Sequence, residues 1–148
     1  MGTHYRGGAR EVRALDAYIK LLRAAESVVT RVHRRTACDL TVSQFGVLES
    51  LHHLGPMHQR QIGTKLLKSG GNVTMVIDNL EKRGLVERRR DQKDRRFVSV
   101  HLTPAGERLI AEVFPRHVQS IVEELAPLAG DEQDALARLC RKLGRKDD

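Results

Sequence analysis

Between Ser69 and Arg96 the chain reads SGGNVTMVIDNLEKRGLVERRRDQKDRR, a run dense in side chains that bond to phosphate oxygens or base edges. Gly70 and Gly71 allow close backbone approach to an anion, and the free N–H groups of a helix start suit one. Ser69 and Thr74 can donate hydroxyls to phosphate, while Asn72 and Asn79 carry the paired donor and acceptor that match an adenine edge. Lys82, Arg88, Arg90, Arg95 and Arg96 supply cations. Asp94 stands beside the last two, where a carboxylate can hold a guanidinium in one direction. An arginine-rich turn of this kind fits a narrow minor groove, whose negative potential is strongest.

Those side chains need elements to aim them. With Val73 on the core side, Val76, Ile77 and Leu80 join it at helical spacing. The opposite face of this helix, expected from about residue 70 to 83, then presents Gly71, Met75, Asp78 and Lys82, flanked by Asn72, Thr74 and Asn79. Gly84 ends the helix where a left-handed residue costs least. Val86 to Arg90 and Phe97 to Leu102 alternate as two strands, with DQKDRR at the hairpin tip. Arg88 and Arg90 share one strand face and Arg89 takes the other.

Upstream, Leu15, Tyr18, Ile19, Leu22, Ala25, Val29 and Val32 mark a long amphipathic helix to about Arg35. Thr41 or Ser43 can cap a second helix carrying Phe45, Leu48 and Leu51, which stops at Gly55-Pro56. A short third helix carries Ile62, Leu66 and Leu67 on its buried side. Downstream, Thr103-Pro104 opens a helix containing Pro115, a residue expected to kink it. A last helix after Gly130-Asp131 carries Leu136, Leu139 and Leu143 on one side. The fold class is therefore mostly α with a small β-hairpin wing. Residues 1–9 form a flexible end, 37–103 a winged helix-turn-helix, and 10–36 with 104–148 a helical dimerisation region. The long flanking helices have nothing inside the chain to cover them, so two copies are expected to pair about a two-fold axis.

Composition agrees with that outline. The 148 residues are 40% hydrophobic but only 3% aromatic, so the core rests on aliphatic side chains. Lys and Arg outnumber Asp and Glu by 26 to 19, a net charge of +7. The excess is focused, with eight basic and four acidic residues between Glu81 and Arg96, and a focused excess favours nucleic acid over general solubility. Two cysteines far apart exclude a disulfide framework or a four-cysteine zinc site within one chain. The opening MGTHYRGGAR lacks an apolar core, and no run reaches the ~18 residues of a membrane span. A cytoplasmic protein without a membrane partner is expected. There is no GxSxG elbow and no HExxH, and SGGN lacks the Lys-Ser/Thr of a phosphate loop. Enzymatic chemistry and a cofactor are not expected.

The motifs resemble the MarR (multiple antibiotic resistance regulator) family of transcriptional regulators. The matching residues are Leu40-Thr41, Gln44-Phe45, Val47-Leu48 and Ile62-Gly63, then the whole Ser69–Arg96 run and VSVHLTPAGERLI. The likeness covers roughly residues 12 to 143. It implies a homodimer on a short inverted repeat of double-stranded DNA, acting as a repressor. The helix starting near Ser69 would lie in the major groove, with Arg95 and Arg96 in the minor groove and Asp94 paired with Arg96. DNA contacts are thus expected from Ser69, Gly71, Asn72, Thr74, Met75, Asn79, Lys82, Arg88, Arg90, Asp94, Arg95 and Arg96.

The resemblance also implies release by a small phenolic or other anionic effector, bound between the dimerisation helices and the winged domain. Tyr18, His33, Phe45, His52 and Phe114 are the candidate wall residues, although side chains of these types more often serve as plain core. Two alternatives stand beside this one. The first is a redox response through Cys38, although Asp39 next to it would raise a thiol pKa and an inert, partly buried thiol is the plainer reading. The second is a winged-helix protein with no effector. Cys140 reads as packing. His52, His53 and His58, with Cys38 or His117, lack a helical His-x3-His pair, so no metal site is expected.

Overall fold

The computed structural model describes residues 4–66 and 70–144. Ser69 and Leu67 lie outside them. The elements run α1 (Ala9–Thr36), α2 (Val42–Leu54), β1 (Met57–His58), α3 (Gln59–Leu66), α4 (Gly70–Lys82), β2 (Val86–Arg90), β3 (Val98–Leu102), α5 (Pro104–Leu125) and α6 (Gly130–Gly144). The chain is mostly helical with a three-stranded antiparallel sheet, in the order β1-β3-β2. Two compact units result, residues 36–117 and the combination of 1–35 with 118–148.

The larger unit is a winged helix built on one aliphatic core. Phe45, Val47, Leu48 and Leu51 of α2 meet Ile62 of α3, Val73, Ile77 and Leu80 of α4, and Val86 and Val100 of the sheet. Ile110 and Val113 join them. The first half of α5 therefore belongs to the winged unit, whereas the sequence division assigned all of 104–148 to the flanking helices. β1 is absent from the sequence reading, because two residues carry no periodicity. Its Met57 pairs with Val100, which makes β3 the central strand.

Local chemistry fixes the ends of these elements. Thr41 Oγ1 accepts from the Gln44 N–H at 3.1 Å, and Gln44 Oε1 accepts from the Thr41 N–H at 3.0 Å, a reciprocal capping box. At the end of α4, Leu85 N–H donates to Leu80 O and Gly84 N–H to Glu81 O, with Gly84 at φ 71. This is a Schellman termination, and it turns the chain from α4 into the β2–β3 hairpin. Thr103 then locks the far end of the hairpin: its hydroxyl donates to Gly84 O at 2.6 Å and its N–H to Leu85 O at 3.1 Å. Gly106 lies so close to the Leu85 carbonyl that any side chain there would collide with it. α5 continues through Pro115.

The smaller unit holds most of α1, the second half of α5 and α6. Arg31 Nε lies 2.7 Å from Glu124 Oε2, and Arg35 bridges Glu123 and Glu124 at 2.7 and 3.2 Å. Its apolar side chains are poorly covered. Tyr18, Leu22, Val29, Val122, Leu139 and Leu143 are each about half or more exposed, and α6 buries no residue. Cys140 is exposed on the same helix face as Leu136 and Leu143, so within one chain it does not pack. No helix among the described residues is long and apolar enough to cross a membrane.

Candidate nucleic-acid interface

α4 is anchored by Val73, Ile77 and Leu80, all buried, which turns the opposite face outward. Asn72, Thr74, Met75, Asn79 and Lys82 are exposed there, with Met75 at 60%. The helix takes Gly71 into its first turn. An outward methionine in the centre of a polar face leaves an apolar contact free for a groove, where thymine methyls lie.

The wing tip is shaped by two aspartates. Asp91 Oδ1 accepts from the N–H groups of Lys93 at 2.8 Å and Asp94 at 3.3 Å. Asp94 Oδ1 accepts from the Arg96 N–H at 3.1 Å, and its carboxylate holds the guanidinium of Arg96 through Nε and Nη2, the latter at 2.8 Å. Side-chain bonds from Arg96, then its backbone N–H, hold the Asp94 carboxyl below the usual carboxylate range, and the same pairing raises the pKa of Arg96. The Arg96 side chain is still 86% exposed. It is thus a cation fixed in direction and open to solvent. Arg95 is exposed beside it, and Arg90 donates from Nη1 to the Arg95 carbonyl at 3.3 Å, tying strand to tip.

Arg88 differs from these. Its side chain, 22% exposed, reaches Asp78 at 2.7 Å and Glu81 at 3.2 Å on α4. Gln59, at the start of α3, accepts from Arg88 Nε at 3.2 Å and donates to Thr74 Oγ1 at 2.8 Å. Gln59 escaped sequence reasoning because its partners lie 15 and 29 residues away. On the other face of β2, Arg89 pairs with Glu87. Across from them, His101 is kept below its ordinary pKa first by burial and then by Arg89. A groove of about 510 Å³, lined by His58, Gln59, Arg60, Arg96, Phe97 and Val98, runs beside the tip.

A family model described as MarR family matches residues 40–98, the stretch from α2 to the start of β3. The HTH-type transcriptional regulator YkoM of Bacillus subtilis is 39% identical over 133 residues, covering 89% of this chain and 86% of that protein. The chain belongs to the MarR family. MhqR of Bacillus subtilis, another HTH-type transcriptional regulator, is 31% identical over 133 residues, with 89% of this chain and 92% of MhqR covered. Among solved structures, Bordetella bronchiseptica BpsR superposes with a TM-score of 0.79 at 30% identity, covering 87% of this chain and 98% of BpsR. That structure is described as explaining regulation of BpsR DNA binding by 6-hydroxynicotinic acid. This MarR-family chain is accordingly a DNA-binding transcriptional regulator with a winged helix-turn-helix.

The expected effector residues fall in different surroundings. Phe45 is buried, its ring 4.3 Å from that of His117, and half-buried Phe114 lies 4.6 Å from His53. His52 Nδ1 is 2.6 Å from Glu107 Oε1. On α1, Tyr18 is 61% exposed and His33 half-buried. Cys38 is half-buried against the winged core. His53 donates to Glu49 O, His58 faces Phe97 and His117 meets Thr36. Among the described residues, no three His, Cys, Asp or Glu side chains converge on a metal site.

Proposed function

We propose that this MarR-family regulator is a homodimeric repressor that binds an inverted-repeat operator and is released by a small aromatic anion. The observation that carries the DNA reading is the exposed, carboxylate-aimed Arg96 at the tip of a wing that follows an outward-facing α4. In this reading Ser69, Gly71, Asn72, Thr74, Met75, Asn79 and Lys82 meet the major groove. Arg90, Arg95 and Arg96, the last held by Asp94, meet the minor groove, and Arg88 stands behind them. Half-sites would lie about one helical turn apart, ~10 bp. The uncovered apolar residues on α1, α5 and α6 support pairing of two copies. Regulation of BpsR by 6-hydroxynicotinic acid supports an aromatic acid as effector class.

The test is fluorescence anisotropy on DNA from the regulator's own upstream region, repeated with a panel of phenolic and heteroaromatic carboxylates. Saturable binding to an inverted repeat, weakened by at least one compound, is the expected result. Binding that no compound in the panel or oxidant weakens would remove the sensor half of the proposal. Release by oxidants alone would favour the Cys38 alternative.

A further inference from the structure

The outward face of α4 carries two carboxylates, Asp78 and Glu81, on the helix that would approach a polyanion. Left alone, each would repel phosphate. Their counter-charge comes from the wing. Arg88 Nη2 is 2.7 Å from Asp78 Oδ1, and Arg88 Nη1 is 3.2 Å from Glu81 Oε1. The Arg88 backbone N–H donates to Glu81 Oε2 at 3.0 Å, so Glu81 grips both the strand and its side chain. Arg88 Nε donates to Gln59 Oε1 at 3.2 Å, and Nη2 also reaches the Thr74 carbonyl at 3.4 Å. All three nitrogens of the guanidinium are thereby engaged. At 22% exposure, against 86% for Arg96, its side chain is turned inward among α3, α4 and β2.

We infer that Arg88 is a positioning residue and internal counter-ion, not a DNA contact. It does two things with one fork. It offsets part of the charge of the acidic pair on the recognition helix, and it sets the spacing between that helix and the wing, so that both elements fit adjacent grooves together. A planar fork can bridge two carboxylates and a carbonyl in fixed directions, which an ammonium cannot. The inference rests on α4 and the wing being the DNA-reading elements.

The test is a double-mutant cycle on operator affinity. Arg88→Ala is measured in the wild-type background and in Asp78→Asn/Glu81→Gln, with thermal melts of every variant. Arg88→Ala should weaken binding about tenfold or more in the wild type, because it exposes two unpaired carboxylates to the phosphates. In the neutralised background the same change should cost less than about threefold and leave the salt slope unaltered. A direct phosphate contact would give equal losses in both backgrounds and lower the salt slope by about 1, and that result overturns the inference. Arg88→Met, which keeps the packing of the stem, carries the same cycle if the alanine variant does not fold. Arg88→Lys should restore neutralisation but only part of the affinity; full recovery would overturn the spacing role. A wild-type protein that binds no DNA would instead overturn the functional reading along with this one.

Discussion

Arg96 and Asp94 illustrate how two neighbouring residues divide one task. The carboxylate supplies direction, accepting from Nε and Nη2, and the guanidinium keeps most of its surface in solvent. Arg96→Ala should weaken operator binding by about 1–3 kcal/mol while the melting temperature stays put. Unchanged affinity would sink the wing assignment. Asp94→Ala should cost less, since the charge survives and only its aim is lost. The acidic residue within a basic tip was legible in the sequence as an aiming device. The inward turn of Arg88 was not, since its partners Asp78, Glu81 and Gln59 come from α4 and α3. Arg88 and Arg90 share a strand face in the alternation, yet the first pairs with carboxylates of α4 and the second donates to the Arg95 carbonyl at the tip.

At the scale of elements, the junctions carry the stability. Gly84 sits at φ 71, so Gly84→Ala should destabilise the protein by about 1 kcal/mol in urea unfolding. Gly106→Ala should cost more, because a methyl group there, in the first turn of α5, meets the carbonyl of Leu85 in the turn between α4 and β2. A smaller loss at Gly106 than at Gly84 would contradict that packing. The outer sheet face has a pH dependence of its own. His101 is held below its ordinary value of 6.5, so the folded state favours the neutral imidazole. Its contribution is present above the unfolded pKa and is lost as pH falls through the lower folded value. Stability should therefore decline on acidification below about pH 6.5, and His101→Gln should flatten that decline. An unaltered pH profile in the variant would place the slope elsewhere. The helix ends at Thr41, Gly55 and Gly84 were legible from residue type, whereas β1 and the inclusion of Ile110 and Val113 in the winged core were not.

For the whole molecule, charge and uncovered apolar surface dominate. The chain carries a net charge of +7, with eight basic against four acidic residues between Glu81 and Arg96, so operator affinity should fall by about a thousandfold or more between roughly 50 and 200 mM salt if six or more phosphates are neutralised. A flat salt dependence would argue against DNA. Leu139 and Leu143 are 49% and 68% exposed on α6. Leu139→Glu with Leu143→Glu should shift sedimentation from dimer to monomer and abolish tight operator binding, since a single copy engages one half-site. A variant that remains dimeric would move the interface off α6.

The run from Ser69 to Arg96 determined by itself the succession of helix, turn and arginine-rich hairpin, and which side of the helix faces out. Those properties depend on neighbours three, four or two residues apart, so periodicity and turn chemistry are enough to read them. Tertiary structure alone decided which arginines face solvent. Arg88 and Arg96 are eight residues apart in one basic stretch, but packing brings two carboxylates and a glutamine from other elements onto the first and leaves the second in solvent. Charge can be counted along a chain; whether a charge is already spent depends on contacts between residues distant in sequence.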